Sequence, residues 1–239
     1  MLRRPFPRFL RGLAVGVLLL VVAVPLDAIV HDLVFRHVVS HEVRLTANGA
    51  TQLGTVWAAA GLLGALAVVG YRVGDPGLWR ASVGGLAGVA IASAASQVVK
   101  QVVCRGRPKL VEGWGVDQPD PSASGTRGSR MGAAAQSFLH WPCFVDSRYQ
   151  SFPSGHATTA FAVAAALTRA APGRRPLWLA IAALVGAARV LLNAHFLSDV
   201  LGGAILGWWG GWLGIHAFER HTRARQVKTG PWPEPAARS

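Results

Sequence analysis

Six long apolar stretches leave this chain few architectures. They run over about 10–30, 51–71, 78–103, 157–171, 176–194 and 199–218. A membrane-spanning helix needs roughly 17–25 such residues, and only the fourth stretch falls short. Strands are excluded because the runs are too long and do not alternate. Six buried helices of a soluble protein would leave 239 residues almost no polar face to meet water. The expected fold is therefore all-α, a six-transmembrane-helix bundle with a long extracytoplasmic loop between helices three and four. Residues 1–218 would form one membrane-embedded domain. Residues 219–239, with Pro231-Trp-Pro-Glu-Pro, would be a basic, disordered cytoplasmic tail. The first stretch follows Arg3, Arg4, Arg8 and Arg11, as a signal peptide would. Pro25 and Asp27 stand where a small-residue cleavage site would be needed, so a retained helix is expected.

Composition fits this picture and excludes others. The chain is 51% hydrophobic and 15% charged, with mean hydropathy +0.35 and net charge +13. Average soluble domains carry about 25% charged residues. So much apolar surface excludes disorder. Two cysteines exclude a disulfide-dense scaffold. Nucleic-acid binding would explain the charge but not the apolar runs, so no nucleic-acid partner is expected.

The basic residues instead sort to one side. Arg72 and Arg80 lie between helices two and three. Arg169, Arg174 and Arg175 lie between four and five. Arg220, Arg223, Arg225, Lys228 and Arg238 lie in the tail. With the four N-terminal arginines they predict both termini in the cytoplasm. The loop from Cys104 to Gly155 is then extracytoplasmic. Richness in Arg, Ala and Gly suggests a high-GC bacterial genome, hence a bacterial inner (plasma) membrane.

Three polar clusters break the apolar pattern on that outer side. Lys100 and Arg107 lie seven residues apart before Pro108, about 10 Å along one helix face if the helix persists. Pro153-Ser154-Gly155-His156 opens the fourth helix, where Ser154 is a good N-cap and bare N–H groups bind anions. Arg189, His195 and Asp199 span the junction of helices five and six, with Asp199 four residues beyond His195. A cation inside the bilayer costs roughly 2.5–3.5 kcal/mol on insertion scales. Lys100 or Arg189 alone could snorkel to the interface. Together the clusters have coherent chemistry: three cations, two histidines, a carboxylate and a helix N-terminus are what a phosphate clamp with a nucleophile and an acid requires.

The pattern Lys-x6-Arg-Pro, Pro-Ser-Gly-His and Arg-x5-His-x3-Asp resembles the type 2 phosphatidic acid phosphatase superfamily. That group includes membrane lipid phosphatases, glucose-6-phosphatase and vanadium haloperoxidases. The resemblance implies that His195 is the nucleophile, forming a phosphohistidine. Asp199 would orient its ring, and His156 would be the general acid and then the base. Lys100, Arg107 and Arg189 would neutralise phosphoryl oxygens, with Ser154 and the Gly155 N–H completing the cradle. Fixed cations can do what Mg²⁺ does elsewhere, so no metal and no cofactor are expected. One position departs from the pattern, since the family usually has Ser where this chain has Ala188.

The implied activity is hydrolysis of a lipid phosphate or diphosphate at the outer leaflet, with the bilayer and its lipid as partners. Undecaprenyl diphosphate, phosphatidate, phosphatidylglycerophosphate and a lipid A phosphate are candidates, the first two being common in the family. The alternatives are a vanadate-dependent haloperoxidase-like enzyme and a non-catalytic lipid-phosphate-binding or transport protein. Cys104 and Cys143 both fall in the outer loop region, where oxidation permits a disulfide; two free thiols are the alternative. His37 and His41 have helical i,i+4 spacing, but a solvated amphipathic segment explains them without a metal.

Overall fold

The computed structural model describes residues 6–37, 40–108 and 146–229. They form seven α-helices and no strand. α1 spans Phe6–His37. α2 spans His41–Gln52 and starts at Ser40, whose hydroxyl accepts the Val43 N–H at 3.3 Å. A short turn leads to α3, Val56–Arg72, capped by Thr55 through the Ala58 N–H at 3.2 Å. α4 spans Pro76–Val103. Its start combines Asp75, which accepts from the Gly77 and Leu78 N–H groups at 2.9 and 3.0 Å, with a proline at the first helical position. A proline there forfeits no intrahelical hydrogen bond. After the segment outside the described residues come α5, Gly155–Ala170, α6, Arg175–Leu191, and α7, Leu197–Thr229.

The six apolar stretches thus fall mainly on helices, with a turn at 53–55 breaking the second and α6 ending before the fifth does, and the helices differ in reach. By length and composition, α1 over Leu10–Val34 and α4 are each able to cross a membrane among the described residues. The pair α2–α3, bent by 49° at its break, makes a third if counted as one span. α5 and α6 have only 16 and 17 residues, roughly 24–26 Å at 1.5 Å per residue. That is less than the ~30 Å hydrocarbon thickness. α7 continues through Thr229 rather than ending at 218. Residues 219–229 contain no Gly or Pro to stop it. The tail expected at 219–239 therefore starts as helix, and 230–239 lie outside the described residues.

α4, α5 and α7 pack on one another at the centre, with α3 against α4, α6 against α5, and α1 against α7. Small residues set how closely they approach. A Cβ on Gly207 would collide with the Thr158 carbonyl of α5, and one on Gly214 with the Gly88 backbone of α4. Such glycine faces let backbones touch where hydrophobic burial gives no drive. Ala59, Leu63, Val89, Ala92, Ala162, Val163, Ala166 and Ile215 fill the core between them. Large apolar side chains such as Leu18, Val21, Leu33, Val98 and Val102 face outward instead. An apolar exterior around an alanine- and glycine-packed interior is the inversion a lipid solvent favours.

Candidate active site

The site forms where α4 ends and α5 and α7 begin. Lys100 is in the last turn of α4 and is buried. Cys104 closes that helix in the left-handed conformation (φ 44°), its N–H bonded to the Lys100 carbonyl at 3.0 Å. The chain then runs extended beside Arg148–Ser151. The Arg107 N–H donates to the Arg148 carbonyl, and the Ser151 N–H to the Arg105 carbonyl, both at 2.9 Å. Arg107 is further held by its Nε, which donates to the Ser147 carbonyl at 3.1 Å.

Ser154 and Gly155 open α5 against this end of α4. A Cβ on Gly155 would lie 3.5 Å from the Lys100 ammonium, an ordinary contact that places the helix N-terminus beside the cation, and the Ser154 side chain does not cap that end. The Ser154 N–H donates to the Asp199 carbonyl at 2.9 Å, which ties the start of α5 to the start of α7. The Ser154 hydroxyl is buried and makes no hydrogen bond among the described residues, and neither does Arg189 Nε. Lys100, Arg107 and Arg189 are close enough to interact electrostatically, and His156 senses all three as well as His195. The eight residues singled out in the sequence therefore converge on one end of the bundle.

His195 lies in the short connection between α6 and α7 and is buried. Its Nδ1 is 3.6 Å from Asp199 Oδ2, longer than a normal hydrogen bond. The i,i+4 contact is thus not a direct hydrogen bond. Ser151 lies between the two groups, its hydroxyl donating to Asp199 Oδ2 at 2.5 Å and lying 3.5 Å from His195 Nδ1. Asp199 Oδ2 also accepts the Phe196 N–H at 2.9 Å. Burial lowers the His195 pKa below its ordinary 6.5, and the Asp199 carboxylate only partly opposes this. The ring is neutral near pH 7, with Nδ1 turned toward Ser151 and Asp199. Nε2 is left as the nitrogen able to attack.

Sequence reading missed a second layer behind these groups. Arg105, fully buried, donates to Asp199 Oδ1 at 2.7 Å, to Asp27 Oδ2 at 2.7 Å and to the Ser198 hydroxyl at 2.6 Å. His31 Nε2 and Asn193 Oδ1 are 2.6 Å apart. The available signal was Asp27 itself, since a carboxylate amid apolar residues needs a partner. Ala188 is buried in α6. Cys104 is not a free thiol, while Cys143 lies outside the described residues.

A family model described as the PAP2 superfamily matches residues 82–223. A lipid A 1-phosphatase of Rhizobium johnstonii is 37% identical over 96 residues, 40% of this chain and 39% of that protein. A lipid A 1-phosphatase of Rhizobium etli is 35% identical over 96 residues, 40% of this chain and 41% of that protein. The matched region is thus about two-fifths of the length of these curated relatives. No solved structure gives a significant match. The family match covers more than half of the chain and runs from α4 into α7, across all eight clustered residues; the chain belongs to the PAP2 superfamily.

Proposed function

We propose that this protein is a membrane lipid phosphatase that works through a phosphohistidine. The observation that carries the reading is the convergence of Lys100, Arg107, Arg189 and the bare N-terminus of α5 beside two histidines. Phosphoryl transfer needs positioning and charge neutralisation more than covalent help, and this arrangement supplies both. The phosphoryl oxygens would accept from the Ser154 hydroxyl and Arg189 Nε, two buried donors at the site that make no hydrogen bond among the described residues. His195 Nε2 attacks phosphorus as the bond to the leaving oxygen breaks. That oxygen keeps the electron pair and takes a proton from His156, whose pKa burial and the neighbouring cations lower to about 4, so the bound phosphate's negative charge has to raise it for this step. His156, now neutral, takes a proton from water, whose oxygen attacks phosphorus and returns the N–P electron pair to His195.

An apolar cavity favours a lipid over a soluble ester. It has a volume of about 310 Å³ and is lined by Leu53, Ala59, Ala160, Val163, Trp178 and Val185, among others. Its lining residue Val185 lies near His156, since a Cβ on Gly54 would clash with both Val185 and His156. The relatives named lipid A 1-phosphatases favour lipid A 1-phosphate among the candidates, ahead of undecaprenyl diphosphate and phosphatidate. The six apolar stretches support six spans, the Arg-, Ala- and Gly-rich composition supports a bacterial inner membrane, and the positive-inside pattern supports both termini cytoplasmic and the site extracytoplasmic.

The test is phosphate release from a panel of lipid phosphates by detergent-purified protein, with chelator present. Wild type should release phosphate, and folded His195→Ala should not. Release from none of the lipids, or full turnover by the variant, would overturn the reading.

A further inference from the structure

α1 lies outside the family match, which begins at residue 82, yet two of its side chains reach the site. Asp27 and His31 are one helical turn apart, so they share a face. Both are buried, although α1 turns Leu18, Val21 and Leu33 outward. Asp27 Oδ1 accepts the Ser198 N–H at 2.8 Å, and Oδ2 accepts the Ser198 hydroxyl at 2.5 Å and Arg105 Nη2–H at 2.7 Å. The same guanidinium donates to Asp199 Oδ1 through Nη1 and lies over the Phe196 ring, 4.1 Å from its centroid. His31 meets Asn193, whose backbone is left-handed at φ 54°. Asn193 and Ser198 bracket the connection that carries His195.

Resting on the phosphatase reading above, we propose that α1 is a positioning element of the active site. Asp27, through Arg105 and Ser198, fixes Asp199 and the start of α7; His31, through Asn193, fixes the backbone leading into His195. Neither α1 residue touches substrate. Their effect is to hold the nucleophile's ring within the narrow range that in-line attack tolerates. A misplacement of about 1 Å costs on the order of 10²-fold in such a step. Substrate binding rests on Lys100, Arg107, Arg189 and Ser154, whereas the hydrogen bonds from Asp27 and His31 run, directly or through Arg105, to the segment that carries His195 and Asp199. Loss of the α1 contacts is therefore expected to fall mainly on kcat.

The test uses the full chain in detergent with a lipid phosphate as substrate. Asp27→Asn keeps the shape and one acceptor but loses the charge. Asn193→Gly keeps the left-handed backbone unstrained and loses the carboxamide that meets His31. Val21→Ala, on the outward face of α1, is the control and should turn over like wild type. Both site variants should retain their helical circular dichroism and lose at least tenfold in kcat, with KM within twofold of wild type. Folded variants with kcat within twofold of wild type would overturn the inference, as would losses carried by KM alone. If Asp27→Asn does not fold, Asn193→Gly decides. Failure of both to fold overturns the proposal in favour of a purely structural role. An inactive wild type would refute the phosphatase reading and this inference with it, whereas an active wild type matched by its variants refutes only the inference.

Discussion

Replacing Arg105 with leucine tests how much of the site's order depends on one buried cation. Arg105 is fully buried, as are the Asp27 and Asp199 carboxylates it joins, and its two ion pairs are both 2.7 Å long. Arg105→Leu leaves two carboxylates in a low-dielectric interior without their cation. Breaking a buried pair by removing one partner costs about 3–5 kcal/mol, because the remaining charge is uncompensated. Against a typical total stability of about 5–15 kcal/mol, that is a large fraction. For a chain of this size each kcal/mol moves the melting temperature by roughly 2–4 °C, so a drop on the order of 6–20 °C is expected. The assay is thermal unfolding in a single detergent, followed by intrinsic tryptophan fluorescence. Adding Asp27→Leu to Arg105→Leu removes one stranded charge and should recover part of the loss, a coupling of roughly 0.5–3 kcal/mol. A melting temperature within about 2 °C of wild type for the single variant, or strict additivity in the double, would refute the account of Arg105 as the buried counter-ion of both carboxylates.

Three further outcomes are expected. Lys100→Ala, Arg107→Ala and Arg189→Ala, one at a time, should each lower kcat/KM by about 10²–10³, the range for removing one preorganised donor from an anion site; steady-state kinetics on a lipid phosphate checks this. Burial lowers the His195 pKa below 6.5, and only the neutral ring can attack, so the neutral nucleophile is kept above the lowered value and lost as pH falls through it. The acidic limb of kcat/KM against pH should therefore lie below pH 6.5, and a limb at or above that value would contradict the assignment. Gly207→Val should prevent folding, since even a Cβ there collides with the Thr158 carbonyl; a folded variant in size-exclusion chromatography would show that α5 and α7 can separate.

The clamp was legible in the sequence because its residues are functional types set at element ends. Lys100 and Arg107 flank a helix stop before Pro108, Ser154 and Gly155 have the character of a helix start, and His195 and Asp199 fall at a helix junction. Each of these signals is local, and local signals survive in one dimension. The layer behind them is different in kind. Arg105 meets Asp27 across 78 residues and His31 meets Asn193 across 162, and no spacing rule relates such positions. Ser151 was hidden for another reason: a serine in a polar segment is common, and only the backbone pairing of Arg105 with Ser151 brings its hydroxyl between Asp199 and His195. Length and composition do not count the spans, since an apolar run and a bilayer crossing look alike: α5 and α6 have 16 and 17 residues, and among the described residues α1, α4 and the bent pair α2–α3 meet the measure of a crossing. Asp27 marks the limit most clearly. Its charge within an apolar helix signalled that a partner must exist, and that requirement comes from the low dielectric rather than from any motif. Sequence could therefore state that α1 has a polar obligation, while only the fold could show that the obligation is met by the arginine holding Asp199.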